Sequence, residues 1–278
     1  MKRKRTFLTK LRVNGAYYII AALLLLVGVP LYQLFVLLPQ GYADALASAA
    51  KGSFSTYLLW IGQHPGQFLG YRALLVISFA ILISLPFTLF RIIVAQEILG
   101  QEEEEENEAE NEATEAAGTQ TADGMPAYAW RGKGFAVLAA WLGLLGIILY
   151  TFGTLASAIY LALVSSTFSA HTTTPANFAA IAGALSILSN TIGSGLLALS
   201  CLFFGAVIAR RGLKLWPGVW VAFGYTALAV AALLSGSAVA VASAPTEGQA
   251  TLTTPAILLF ALWVLWFGIM LVRLKSEV

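Results

Sequence analysis

Apolar residues along this chain fall into six long runs, at about 16–38, 73–95, 135–164, 176–208, 216–243 and 255–272. Each is close to or above the ~20 residues an α-helix needs to cross a bilayer core. The runs are continuous rather than alternating, and a lipid-exposed backbone must satisfy its own hydrogen bonds. Helices are therefore predicted rather than barrel strands. The expected fold is all-α, a polytopic membrane bundle of six transmembrane helices forming one domain over residues 1–278.

The charges orient this bundle. With both termini placed in the cytoplasm, fourteen of the sixteen bases fall on inner segments: Lys2, Arg3, Lys4, Arg5, Lys10, Arg12, Arg91, Arg131, Lys133, Arg210, Arg211, Lys214, Arg273 and Lys275. Only Lys51 and Arg72 fall outside. That asymmetry is the positive-inside pattern, and Trp130, Trp216 and Trp220 beside the inner bases suit an aromatic belt. The expected location is the plasma (cytoplasmic) membrane, with the lipid bilayer as the first partner. The small net charge of +2 hides this: removing the nine acids between Glu102 and Glu115 would leave +11. The basic excess is topological, and no nucleic-acid partner is expected.

The basic start and the small residues Ala45 to Ala49 resemble the two ends of a cleaved signal. However, the first apolar stretch, about 22 residues, exceeds the usual ~7–15 of a signal core, so a retained anchor is expected. In the loop 39–72, Phe54, Tyr57, Leu58, Trp60 and Ile61 are placed for one face of a short interfacial helix ended by His64-Pro65-Gly66. His64 reads as an ordinary loop histidine, with a ligand or pH-sensing role as the alternative. The inner segment 97–124 carries the acidic run, whose like charges favour a solvated cytoplasmic loop. Its functional alternatives are weak cation collection or a basic protein partner.

Thr173-Thr174-Pro175-Ala176 and Thr253-Thr254-Pro255-Ala256 repeat one tetrapeptide before the fourth and sixth runs. Threonine at the N-cap and proline at the first helical position make a helix start. Convergent capping is preferred to an internal duplication.

Inside the membrane the informative pattern is small residues. The third run carries Ala136, Ala139, Gly143, Gly146, Tyr150, Gly153 and Ser157 at alternating steps of three and four. The fourth carries Ala179, Gly183, Ser186, Asn190, Ser194, Ala198, Cys201 and Gly205 on one face. The fifth is rich in small residues all round. Such residues let helices approach closely where lipid offers no hydrophobic drive for association. Runs three to five are therefore expected at the packed centre, with runs one, two and six facing lipid or a partner. An exposed small-residue face on the fifth would invite self-association into a homo-oligomer.

Asn190 is the most informative polar residue within a run. It is expected to point into the bundle and lock helices, or else to line a weakly polar cavity with Ser186, Ser194, Gln33 and Tyr150. No Asp, Glu, Lys or His lies at the middle of a run, which lowers the case for ion-coupled transport. The zinc motif H-E-x-x-H is absent, and Ile192-Gly193-Ser194-Gly195 lacks the leading glycine of an intramembrane serine protease. No catalytic, cofactor or metal residues are assigned, and a non-enzymatic protein is expected.

The segment 180–273 resembles uncharacterised six-helix bacterial membrane proteins grouped as a domain of unknown function. The similarity lies in FFGAVIARRGLKLWPGVWVAFGYTALAVAALL, with its basic Trp-Pro turn from Arg210 to Pro217, and in PAILLFALWVLWFGIMLVR. The resemblance implies the six-helix fold and no catalytic residues, and the acidic insertion departs from the compact loops expected of that group. Two functional expectations result: a membrane subunit or regulator contacting a partner protein, or a small permease or binder of apolar ligands such as lipids or quinones.

Overall fold

The computed structural model describes residues 2–96, 129–168, 173–244 and 255–274. All regular elements among them are helices. Six are long and apolar enough to span a membrane: Thr9–Gln40, Pro65–Gln96, Gly134–Thr167, Phe178–Lys214, Gly218–Ser243 and Pro255–Val272, called spans one to six below. The acidic run, His171, Thr253, Thr254 and Lys275 lie outside the described residues.

Span one begins beside the end of span six, where Arg12 Nε donates to the Leu274 carbonyl at 3.1 Å. Span two ends beside the basic turn, with Gln96 Nε2 donating to the Leu215 carbonyl at 3.0 Å. The opposite, distal end is covered by two short helices, Tyr42–Ala50 and Phe54–Gln63. Gly41 and Gly52, at φ 81° and 82°, turn the chain into and out of the first of them. Both occupy the left-handed region that only glycine enters without strain.

Three spans are not uniform α-helix. Proline removes a backbone donor and crowds the preceding turn, and the helix absorbs this by widening or tightening. Span one has π-helical turns at Leu24–Gly28 and Gln33–Leu37, flanking Pro30. Span two narrows to a 3₁₀ turn at Leu82–Ser84, just before Pro86. Span four widens into a π-helix at Ile187–Gly193 with no proline involved.

The structure corrects four expectations. Span two starts at Pro65, in the first helical position after His64, rather than near residue 73. Arg72 therefore lies inside the span, about 10 Å along its axis. Span four starts at Phe178 with Asn177 as its N-cap residue and no side-chain cap. Thr174-Pro175 forms the preceding turn instead, in which the Pro175 carbonyl accepts the Phe178 N–H at 2.9 Å. Span six does begin at Pro255.

The helix Phe54–Gln63 turns its apolar residues Tyr57, Leu58, Trp60 and Ile61 into the bundle, where they are buried by protein. Gly62 sits on the end of span three, where a β-carbon would come within 2.8 Å of the Ser165 carbonyl. Finally, the central spans are not three to five. The apolar windows of spans four and six are each 50% buried, against 28% for span five. Span six is drawn inward by its rings: Phe267 stacks on Tyr18 at 5.8 Å, Trp263 on Phe223 at 4.8 Å and Phe260 on Phe79 at 6.0 Å. Aromatic pairs at such separations add to the contact their area already provides.

Candidate functional site

The small-residue stripe of span three builds its seam with span four, but span four meets it through Ser189, Gly193, Leu197 and Ser200, one residue round the helix from the stripe expected there. A β-carbon at Gly143 would lie 2.6 Å from Ser200 Oγ and 2.9 Å from Pro86 Cγ. At Gly146 it would lie 2.8 Å from the Leu197 nitrogen, and at Gly153 2.8 Å from Ser189 Cβ. Ser200 Oγ closes the seam by donating to the Ala139 carbonyl at 2.8 Å. The π-helical stretch presents Ser189 and Gly193 to span three, and further along Gly205 meets span five, 2.7 Å from the Gly224 carbonyl for an added β-carbon. Gly183 is buried.

The polar candidates are not gathered into one place. Asn190 is half-buried, and its amide donates to Ser186 Oγ, one turn back on its own helix, at 3.4 Å. It neither locks two helices nor defines a cluster. The bond from span four to span five belongs to its neighbour, Thr191 Oγ1 donating to the Ala238 carbonyl at 3.3 Å. Ser186 and Ser194 are buried within span four, and Gln33 is buried in the second π-helical turn of span one. Tyr150 packs its backbone on Gly193, where a β-carbon would lie 2.8 Å from the Tyr150 nitrogen, but its ring turns to Phe79 at 4.2 Å, with Tyr71 and Arg72 as its polar and charged neighbours.

Those two residues open onto the site that the sequence conceals. Arg72 is 9% exposed, beneath the distal helices. Its guanidinium carbon stands 5.3 Å from the Phe68 ring centre and 5.8 Å from that of Tyr71. Each such cation–π contact contributes about 0.5–2 kcal/mol, more where water is excluded. The phenols of Tyr42, Tyr57 and Tyr71 are the groups that act on it electrostatically, and Tyr57 also hydrogen-bonds it. Burying a guanidinium costs several kcal/mol unless its donors are matched, so a cluster of oxygen-bearing rings around it is the chemistry to expect.

The roof holds these rings in place. Tyr42 packs on Trp60 at 4.7 Å and Tyr57 meets Phe68 edge-on at 6.5 Å. Trp60 Nε1 donates to the Gln40 carbonyl at 2.7 Å, pinning the second roof helix to the end of span one. His64 forms the corner between roof and span two: its ring stacks on Trp60 at 5.0 Å and its Nδ1 is 3.1 Å from the Trp60 carbonyl. Burial pushes the Tyr42 phenol well above its ordinary value and raises Tyr57 too, although Arg72 opposes both shifts. Both are therefore neutral O–H groups at physiological pH. The Tyr42 hydroxyl, fully buried, has the Tyr57 phenol as its hydrogen-bond partner.

No protein-family model, curated protein or solved structure matches the chain. Its function has to be read from its own residues.

A second feature missed at the sequence level ties spans one and two. Tyr18 Oη lies 2.9 Å from Ser84 Oγ and 2.7 Å from Thr88 Oγ1, and Asn14 Nδ2 donates to the same Thr88 oxygen at 3.2 Å. The spacing of Asn14 and Tyr18, one helical turn, was the available signal.

Proposed function

We propose that this multi-pass membrane protein is a non-enzymatic subunit or regulator that works by contacting a partner protein. The observation that carries this reading is the uncovered face of span five. Ala222, Ala229, Ala232, Gly236 and Ala240 are exposed along it beside Tyr225 and Leu233, and nothing stands within 4 Å of a β-carbon built on Gly236, one turn from both Ala232 and Ala240. Span one is equally open, but it presents Val13, Tyr17, Ile20, Leu23, Val27, Leu31, Leu34 and Phe35. Long side chains suit lipid, whereas a face of small residues suits a second helix at close range. The acidic run 102–115 offers a further surface, for a basic partner in the cytoplasm, on the orientation that the fourteen inner bases favour. A cavity around Asn190 draws less support, since that amide is engaged within its own turn.

The test is cross-linking in native membranes. Cysteine placed at Gly236 should be captured by a short bis-maleimide in a species of higher mass, while cysteine at Phe35, 70% exposed on span one, should not. A doubled mass identifies a second copy and any other defined mass a different subunit. No capture at 236, or equal capture at both positions, removes the reading.

A further inference from the structure

We propose that the basic turn between spans four and five, Arg210 to Pro217, is a binding site for the phosphate headgroup of an anionic membrane lipid. This goes beyond the partner reading and stands on different residues. Arg210, Arg211 and Lys214 lie within five positions of one another, and all three are exposed. No side-chain hydrogen bond or ion pair joins any of them to another described residue. Arg12, at the same end of the bundle, is by contrast engaged with the Leu274 carbonyl. Asp44 is the one acid among the described residues, and it sits at the far end, on the first roof helix. Among the described residues, the positive charge of the turn is therefore uncompensated.

The turn has a defined shape. Gly212, at φ 55°, occupies a region that favours glycine and lets span four break into the 3₁₀ turn Gly212–Lys214. Behind it Trp216 is buried, its ring 5.4 Å from that of Trp220, which meets Phe267 of span six edge-on at 6.2 Å. Gln96 donates to the Leu215 carbonyl, so span two holds the turn as well. On this scaffold Leu213, between Arg211 and Lys214 in sequence, is 76% exposed. The turn joins two spans and so lies near the headgroup level, where anionic phosphates are concentrated and attract bases. A leucine left open among cations is the pairing that an amphiphile matches. The phosphate meets the bases by charge-assisted bonds, and the acyl chain behind it meets the leucine. A free anion would satisfy the bases alone.

The experiment uses the purified full-length chain in a neutral detergent. It is titrated with phosphatidylglycerol, with phosphatidylcholine of the same acyl chains and with inorganic phosphate. Bound lipid is counted by native mass spectrometry, and the thermal midpoint is read in parallel. Phosphatidylglycerol should bind more tightly than phosphatidylcholine and raise the midpoint further. Inorganic phosphate should not displace it, because it lacks the chain that Leu213 meets. Raising the salt from about 0.1 M to about 1 M shortens the screening length from ~10 Å to ~3 Å and should narrow the preference between the two lipids.

Arg211→Gln/Lys214→Gln should weaken phosphatidylglycerol binding roughly fivefold for each base removed, about 25-fold for the pair. Leu213→Ser should weaken it too, which a purely electrostatic surface would not show. Lys10→Gln/Arg273→Gln is the decisive control. It removes the same charge from the same end of the bundle, and a general attraction of anionic lipid to basic residues would respond to it equally. It should cost much less than the turn pair. All five side chains are exposed, so the unliganded midpoints should stay at the parent value. Equal losses in the two double variants, unchanged affinity in Leu213→Ser, or displacement by inorganic phosphate would overturn the proposal. So would equal binding of the two lipids, the result expected if the acidic run 102–115 or a partner protein holds the turn instead.

Discussion

Gly15 in span one and Gly268 in span six pack backbone against backbone. A β-carbon on Gly15 would lie 2.9 Å from the Gly268 carbonyl oxygen, and one on Gly268 would lie 2.8 Å from that of Gly15. Neither obstacle is a flexible side chain, so the helices themselves would have to part. Gly268→Val should lower stability by about 1–3 kcal/mol, the range of overpacked interiors. Gly236→Ala, in open space, should stay within about 0.5 kcal/mol of the parent. Thermal unfolding of the two variants in one detergent gives the comparison.

Tyr18→Phe removes both hydroxyl contacts to span two, with Ser84 and Thr88. Inter-helix bonds in membranes are worth about 0.6 kcal/mol on average and up to roughly 1.7. The expected loss is therefore of order 1 kcal/mol, measured by the same unfolding. Asn190→Leu breaks only a long bond within one turn and should cost less than Tyr18→Phe. The reverse ranking would mean that Asn190 carries an inter-helix role absent from this structure.

Function should divide along a different line. If partner contact is the protein's role, Asn190→Leu leaves the phenotype of a complemented knockout intact. Deleting 101–118, which removes the acidic run, abolishes complementation. A ligand role for Asn190 predicts the opposite pair of results in the same assay, with membrane levels checked by immunoblot.

The roof should be alkali-sensitive. Burial raises the Tyr42 and Tyr57 phenols above the ordinary value of 10.0. In the unfolded chain these groups lose their protons near pH 10, while the folded roof retains them. Their contribution is thus complete below pH 10 and declines as pH rises from there towards the folded values. Proteolysis at the exposed turn Lys51-Gly52 should accelerate above that pH, and Tyr42→Phe should blunt the acceleration.

Hydropathy made the six spans legible, because a run of apolar residues long enough to cross a bilayer has few other uses. The glycine positions of span three were legible for a related reason: alternating steps of three and four put them on one face, and that face is the seam with span four, whereas on span four the seam glycine is Gly193 and the expected Gly205 meets span five. What failed was inference from composition to depth. Span six, dense in Phe and Trp, looked lipid-facing, yet its rings fill the interior. Span five, dense in Ala and Gly, looked central, yet one helix face of it suffices for packing.

Arg72 escaped notice because a base near the end of an apolar run looks like a flank. The span had to be extended back to Pro65, and the loop folded over it, before the residue became an interior one. The partners that define it, Tyr42 and Tyr57, are 30 and 15 positions away in sequence, and hydropathy offers no signal for such a meeting.

The π-helical stretch Ile187–Gly193 gives span four a gearing of its own. Within and after it, the helix meshes with span three through Ser189, Gly193, Leu197 and Ser200, and farther on Gly205 meets span five. Each residue in an α-helix advances the face by about 100°. Loss of a single residue from this stretch, harmless to hydropathy and to span length, would therefore swing one half of the helix out of mesh while the other stayed engaged. In this protein one seven-residue π-helical stretch sets the rotation of everything that follows it in span four, and it is the place where a one-residue change in length would do more damage than most changes in identity.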